Sequence, residues 1–246
     1  MKTLGVGIVL MVALFFCLPY HLYMKQLWKK NPEKSWEKAR RFVSGFFRFE
    51  LKLSGCKVNV IGKENIPQDG PVLFVGNHRS YFDILIYHEA IGKPLGFLAK
   101  KEMEKIPLLP LYMRDIGCLF LDREDIKQGL SVIKQGTEYM KQGHSMVVFP
   151  EGTRNQTDTL LPFREGGYKM AEKSKSPIVP VSICRSDLML ESAPKKRIHS
   201  HSVTIEFGKP IYPCELPPKE RKERYAEFPQ LIHCLLYTSD AADDKA

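Results

Sequence analysis

Two residue types able to move a proton stand five positions apart in Asn77-His78-Arg79-Ser80-Tyr81-Phe82-Asp83. An aspartate within reach of an imidazole accepts its Nδ1–H, fixes the tautomer and leaves Nε2 as a base. The plainer reading has Asp83 satisfying free N–H groups at a helix start and His78 as a surface loop residue. Two further stretches carry charge at the ends of apolar runs. Gly117-Cys118-Leu119-Phe120-Leu121-Asp122-Arg123 ends in an arginine, and Phe149-Pro150-Glu151-Gly152-Thr153-Arg154 ends in a turn with an acid, a glycine, a hydroxyl and a second arginine. Guanidinium groups form bidentate bonds to phosphate oxygens, so Arg123 and Arg154, read as leaving neighbouring strands, make a cationic fork for a phosphate. Gly152 lets a ligand approach the backbone. For either arginine the alternative is a surface pair with Asp122 or Glu151.

Such residues need a scaffold that gathers strand ends. Residues 71–76 are a continuous apolar run with β-branched members, which predicts a buried strand, and Ser80 with Asp83 three residues later predicts a helix start. Residues 58–62 read as an edge strand, and further strands are expected at 96–100, 116–121, 145–149, 178–183 and 202–208. Ile126, Leu130, Ile133, Thr137 and Met140 recur at four and three residues, the pattern of a helix with one apolar face. The alternation predicts an α/β fold with a central, largely buried sheet flanked by helices, its functional residues at the strand ends.

A chain of 246 residues that is 43% hydrophobic accommodates one medium domain plus an appendage. Its net charge of +9 suits an anionic partner: nucleic acid, an acidic membrane or a phosphorylated substrate. Cysteines 17, 56, 118, 184, 214 and 234 include no C-x-x-C, which speaks against a zinc site or a disulfide framework and for a reducing compartment. His78, His88 and Glu89 lack a zinc-binding spacing. The chain has no Gly-x4-Gly-Lys-Ser/Thr loop, no Gly-x-Gly-x-x-Gly and no Gly-x-Ser-x-Gly elbow.

No Asp, Glu, Lys or Arg occurs between Lys2 and Lys25. As one helix that stretch would measure about 33 Å, the thickness of a bilayer core. Residues 1–24 therefore read as a membrane anchor helix; a cleaved signal peptide and, given Pro19 and His21, a re-entrant hairpin are the alternatives. Lys25, Lys29 and Lys30 follow the segment and only Lys2 precedes it, which predicts a cytoplasmic-membrane protein whose remaining chain faces the cytoplasm. Residues 25–55 interleave Trp36, Phe42, Phe46, Phe47 and Phe49 with Lys38, Arg40, Arg41, Arg48 and Lys52. They read as a basic amphipathic helix on an anionic membrane surface, with packing on the domain core as the alternative. Residues 56–233 form the expected catalytic domain. Residues 234–246 resemble the translation of a sequencing-library adapter and are read as a non-native tail.

Taken together and in order, His78-x4-Asp83, Gly117 to Arg123, Glu151-Gly152-Thr153-Arg154 and the Val179-Pro180 strand resemble the PlsC family of glycerolipid acyltransferases over residues 55–212. The resemblance implies a mixed sheet flanked by helices and a membrane-associated N-terminal helical pair. It implies acyl transfer from a thioester, acyl-CoA or acyl-acyl carrier protein, to the sn-2 hydroxyl of 1-acylglycerol 3-phosphate, with no cofactor and no metal. The implied partners are lysophosphatidate, the acyl donor and an anionic membrane surface, and not nucleic acid. In this family pattern His78 is the general base, oriented by Asp83. Arg123 and Arg154 hold the acceptor's phosphate, and Glu151, Gly152 and Thr153 complete the acceptor-binding turn. Lys101, in a Lys-Glu-Met segment similar to the family's Lys-x-Glu-Leu, is a further substrate-binding candidate, with Lys100 and Lys105 as competitors. A different acceptor, glycerol 3-phosphate or another lysophospholipid, is the nearer alternative function. A non-catalytic protein that binds anionic lipid is the more distant one.

Overall fold

The computed structural model describes residues 2–92, 95–157 and 159–243, and side chains only as far as residue 235 at the C-terminal end. The uncharged N-terminal segment is not one helix. Helix α1 runs Lys2–Phe16 and α2 runs Leu18–Lys30, with the break at Cys17. Pro19 lies in the first turn of α2, where its missing N–H costs nothing, whereas inside a continuous helix its ring would clash with the carbonyl four residues earlier. Among the described residues no single helix is long and apolar enough to cross a membrane; α1 and α2 pass that test only together, bent by 51°. The expected anchor helix at 1–24 is thus two helices, and the second runs on to Lys30. Helix α3, Pro32–Ser54, starts where the Asn31 side chain accepts the Lys34 N–H at 2.9 Å and ends at Gly55, whose φ of 77° suits a residue without Cβ.

The chain continues through β1 (Lys57–Ile61), β2 (Leu73–Gly76), α4 (Phe82–Ile91), β3 (Leu95–Lys100), α5 (Leu109–Asp115), β4 (Leu119–Leu121), α6 (Ile126–Lys141), β5 (Ser145–Val148), α7 (Tyr168–Ser174), β6 (Ile178–Cys184), β7 (Ser202–Phe207) and α8 (Pro218–Asp243). The strands form one mixed sheet in the order β1-β7-β6-β2-β5-β3-β4. All neighbours are parallel except β6 and β7. Both faces of β2 are covered, because successive strand side chains point to opposite sides. Val72 and Phe74 join the core under α3 and α4, while Leu73 and Val75 join the core with α6, α7 and α8. The strand β1 lies at the sheet edge as expected. Helix α8 crosses the expected boundary at residue 233; residues 244–246 of the expected tail lie outside the described residues.

Two expectations are corrected. The periodic helix forms as α6, but Ile126 and Leu130 are 79% and 67% exposed, and its buried positions are Val132, Gly136, Thr137 and Met140. Gly129 lies over Leu121, the last residue of β4, so the first turn of α6 overhangs the end of a three-residue strand. Helix α3 takes the alternative reading in part. Trp36 is only 3% exposed, stacks on His144 at 3.8 Å and fills the space where Gly117 lacks a Cβ. Phe42 stacks on Tyr20 at 4.3 Å, and Phe47 packs edge-on against His88. Outward apolar side chains remain at Phe49 and Leu53 and, on α1, at Leu4, Ile8, Met11, Phe15 and Phe16.

Candidate active site

The parallel strands β2, β3, β4 and β5 end on one edge of the sheet, and the singled-out residues follow those ends. After β2, Asn77 is nearly fully buried. Its side chain donates to the Ile183 carbonyl at 2.9 Å and accepts the Ile183 N–H at 2.8 Å, which pins the loop to β6. His78 Nδ1 lies 2.7 Å from Asp83 Oδ2. The same oxygen accepts the N–H groups of Arg79 at 2.8 Å and Ser80 at 2.9 Å. Asp83 therefore fills both roles read from the sequence: it satisfies free N–H groups at the helix start and it holds the imidazole. The His78 ring lies flat on Phe149, centroids 4.1 Å apart, and its Nε2 makes no hydrogen bond among the described residues.

Asp83 is completely buried, and its Oδ1 has no hydrogen-bond partner among the described residues. Tyr87, one helical turn further on, is also fully buried, and burial followed by the Asp83 charge pushes its phenol well above the usual range. Its hydroxyl occupies the space beside Gly76: a Cβ there would come within 2.2 Å of it. Tyr87 carries no local sequence signal beyond its place on the inner face of α4.

The 149–154 turn is arranged differently from the sequence reading. The buried Glu151 accepts the His78 N–H at 3.4 Å through Oε1, and through Oε2 it accepts Asn155 Nδ2 at 2.8 Å and the Leu161 N–H at 3.0 Å. Its carboxylate is thereby occupied in joining the histidine loop to the turn, and Asn155 N–H donates to the His78 carbonyl at 2.7 Å to complete the join. Gly152 has φ 75°, and the Arg123 guanidinium lies over it, 3.4 Å from where a Cβ would be. Thr153 is exposed.

Arg154 and Arg123 do not leave neighbouring strands, since β3 lies between β4 and β5. Arg154 donates to Glu191 Oε1 at 2.9 Å and stacks 3.6 Å above the Tyr81 ring. Glu191 also accepts Ser80 Oγ at 2.6 Å and the Tyr81 N–H at 2.9 Å, so it caps the start of α4 from a distant segment. Arg79 bonds Asp187 at 2.7 Å and so braces the same segment. Lys101 pairs with Asp122 at 3.0 Å, and Lys100 pairs with Glu102 at 2.8 Å. Arg123 has no hydrogen bond or ion pair among the described residues. Burial, then the Arg164 charge, lowers its pKa, while Glu102 acts the other way.

A fold with this edge, and with a histidine and an aspartate after its second strand, agrees with the family match. Residues 57–184 match the family model described as Acyltransferase, and the chain belongs to that family. Over 193 residues, 74% of this chain and 70% of the relative, it is 35% identical to a Mycoplasma pneumoniae protein described as "Probable 1-acyl-sn-glycerol-3-phosphate acyltransferase". It is 34% identical over 136 residues to the 1-acyl-sn-glycerol-3-phosphate acyltransferase of Borreliella burgdorferi, a match that spans 55% of this chain and 54% of that one. The crystal structure of the 1-acyl-sn-glycerophosphate (LPA) acyltransferase PlsC from Thermotoga maritima shares the fold, with a TM-score of 0.76 at 23% identity over 96% of this chain and 95% of that one.

Proposed function

We propose that this protein transfers a fatty acyl group from a thioester to the sn-2 hydroxyl of 1-acylglycerol 3-phosphate, giving phosphatidate. The observation that carries the chemistry is the 2.7 Å contact between His78 Nδ1 and Asp83, with Nε2 left open. A glycerol hydroxyl is a poor nucleophile until its proton is taken. His78 Nε2 accepts that proton as the oxygen attacks the thioester carbonyl. The carbon–sulfur bond then breaks, and the departing thiolate takes the proton from the imidazolium. Asp83 stabilises the imidazolium between the two transfers. The donor is acyl-CoA or acyl-acyl carrier protein. The exposed apolar face of α1, followed by Lys25, Lys29 and Lys30, supports seating on the cytoplasmic membrane with the 56–233 unit in the cytoplasm. The test is acyl transfer to lysophosphatidate by membranes containing the full chain. Wild type gives phosphatidate, and His78→Ala loses about 10²- to 10⁴-fold in rate. A variant working at the wild-type rate would remove His78 as the base, and transfer only to glycerol 3-phosphate or to another lysophospholipid would replace the acceptor.

A further inference from the structure

Behind the His78–Asp83 pair lie two polar atoms without partners. Asp83 uses Oδ2 for His78, Arg79 and Ser80, while its buried Oδ1 has no hydrogen-bond partner among the described residues. The hydroxyl of the fully buried Tyr87 is in the same condition. Leaving a polar atom unpaired in a dry interior is costly, most of all for a charged group. Three observations bring the two together. Asp83 and Tyr87 stand four residues apart on α4, and a long side chain on a helix leans back over the preceding turn, here the turn that carries Asp83. The hydroxyl itself lies at the end of β2, because a Cβ on Gly76, two residues before His78, would come within 2.2 Å of it. The tyrosine ring meets Phe149 edge-on with centroids 5.7 Å apart, and Phe149 carries the His78 ring flat on its face at 4.1 Å. The phenol is thus packed beneath the pair. Burial, then the Asp83 charge, keeps it protonated, so it is a donor facing a carboxylate that can only accept.

We propose that Tyr87 is a positioning residue: its hydroxyl donates to Asp83 Oδ1, directly or across one buried water, and holds the carboxylate with Oδ2 toward His78 Nδ1. Gly76 makes room for it, since a side chain there would displace the hydroxyl. Held at both oxygens, Asp83 keeps the imidazole oriented through the two proton transfers, and the donor tempers the pull of the carboxylate on the imidazolium. The other charged groups beside His78 have their own partners: Glu151 accepts the His78 N–H and Asn155 Nδ2, and Arg79 bonds Asp187. The inference rests on the acyl-transfer reading above and deepens it.

The experiment compares wild type with Tyr87→Phe, which keeps the ring against Phe149 and removes only the hydroxyl. In the acyl-transfer assay kcat falls about 3- to 30-fold, with KM for lysophosphatidate and for acyl-CoA each within about twofold of wild type. A carboxylate relieved of one donor holds the imidazolium more tightly, so the acid limb of the pH–rate profile moves up by about half a pH unit. A second readout does not depend on turnover. The His78 imidazole is titrated by NMR in detergent-purified protein carrying isotope-labelled histidine, with His78→Ala to assign the signal, and its midpoint moves up by the same amount. An unmoved His78 titration in Tyr87→Phe overturns the proposal whatever happens to kcat, since lost packing alone accounts for a slower enzyme. A kcat at the wild-type level overturns it too. A shifted His78 titration in a protein that acylates no acceptor would remove the function and keep the contact between hydroxyl and carboxylate.

Discussion

Among the described residues are two histidine–aspartate pairs with the same bond length and different settings. His78 Nδ1 to Asp83 Oδ2 and His21 Nδ1 to Asp115 Oδ2 both measure 2.7 Å. The first pair is local. It sits at a strand-to-helix junction, and its carboxylate also holds two backbone N–H groups of the same loop. The second joins α2 to α5 across 94 residues, beside Tyr112, whose hydroxyl donates to the Leu14 carbonyl at 2.6 Å. It fastens the N-terminal helices to the sheet-bearing unit. A histidine–aspartate contact is therefore no signature of proton chemistry; its place in the loop that follows a parallel strand is what distinguishes the first pair.

The contrast breaks most clearly at the aspartates. Asp83→Asn keeps the shape but removes the charge and disturbs the tautomer, so kcat falls about 10²- to 10⁴-fold in the acyl-transfer assay, with the folded helix content unchanged by circular dichroism. A loss below tenfold would make the first pair as structural as the second. Next in size is Gly117→Ala, which acts on the N-terminal attachment. Its Cβ would lie 1.9 Å from Trp36, at a φ of 78°. A loss of about 2–4 kcal/mol in denaturant unfolding is expected. His21→Ala leaves kcat within about twofold and costs about 1–3 kcal/mol, the range for removing one partner of a partly buried hydrogen bond to a charge. A collapse of kcat there, with stability intact, would erase the distinction between the pairs.

The effect confined to a pH window concerns Glu50, a buried residue of α3 whose carboxyl oxygens have no hydrogen-bond partner among the described residues. Burial raises its pKa from an ordinary 4.5 to about 7. Between those values the folded protein keeps a proton that the unfolded chain has released, so this group's contribution to stability falls as pH rises through the window. Glu50→Gln removes that slope. The variant matches wild type near pH 4.5 and exceeds it by up to about 3 kcal/mol above pH 7, as read by unfolding at the two pH values. Equal stability at both would mean the carboxyl ionises normally.

What the sequence reveals follows from the range over which each interaction acts. The strands could be read because buried parallel strands are continuous apolar runs, and His78–Asp83 because both members lie within one loop and one helical turn. Strand order was not readable: β3 separates the end of β4, which carries Arg123, from the end of β5, which leads to Arg154. The partner of Arg154 is Glu191, 37 residues on, in a segment with no motif of its own. Trp36 among basic residues has the composition of an interfacial anchor; only the vacancy at Gly117, 81 positions away in sequence, turns it inward.

The fit of Trp36 into the side of Gly117 has a practical consequence for anyone who wishes to purify the enzyme without detergent. Cutting the chain before β1 looks like removal of a membrane leash. It would strip the lid from Ile86, Ile91, Leu95, Ile116 and Cys118, core residues that share one cluster with Ala39, Val43 and Leu51 of α3. The shortened chain is expected to aggregate, whereas a cut between α2 and α3, at Asn31, keeps the α3 part of that cover and gives up Met24 of the same cluster and the His21–Asp115 contact.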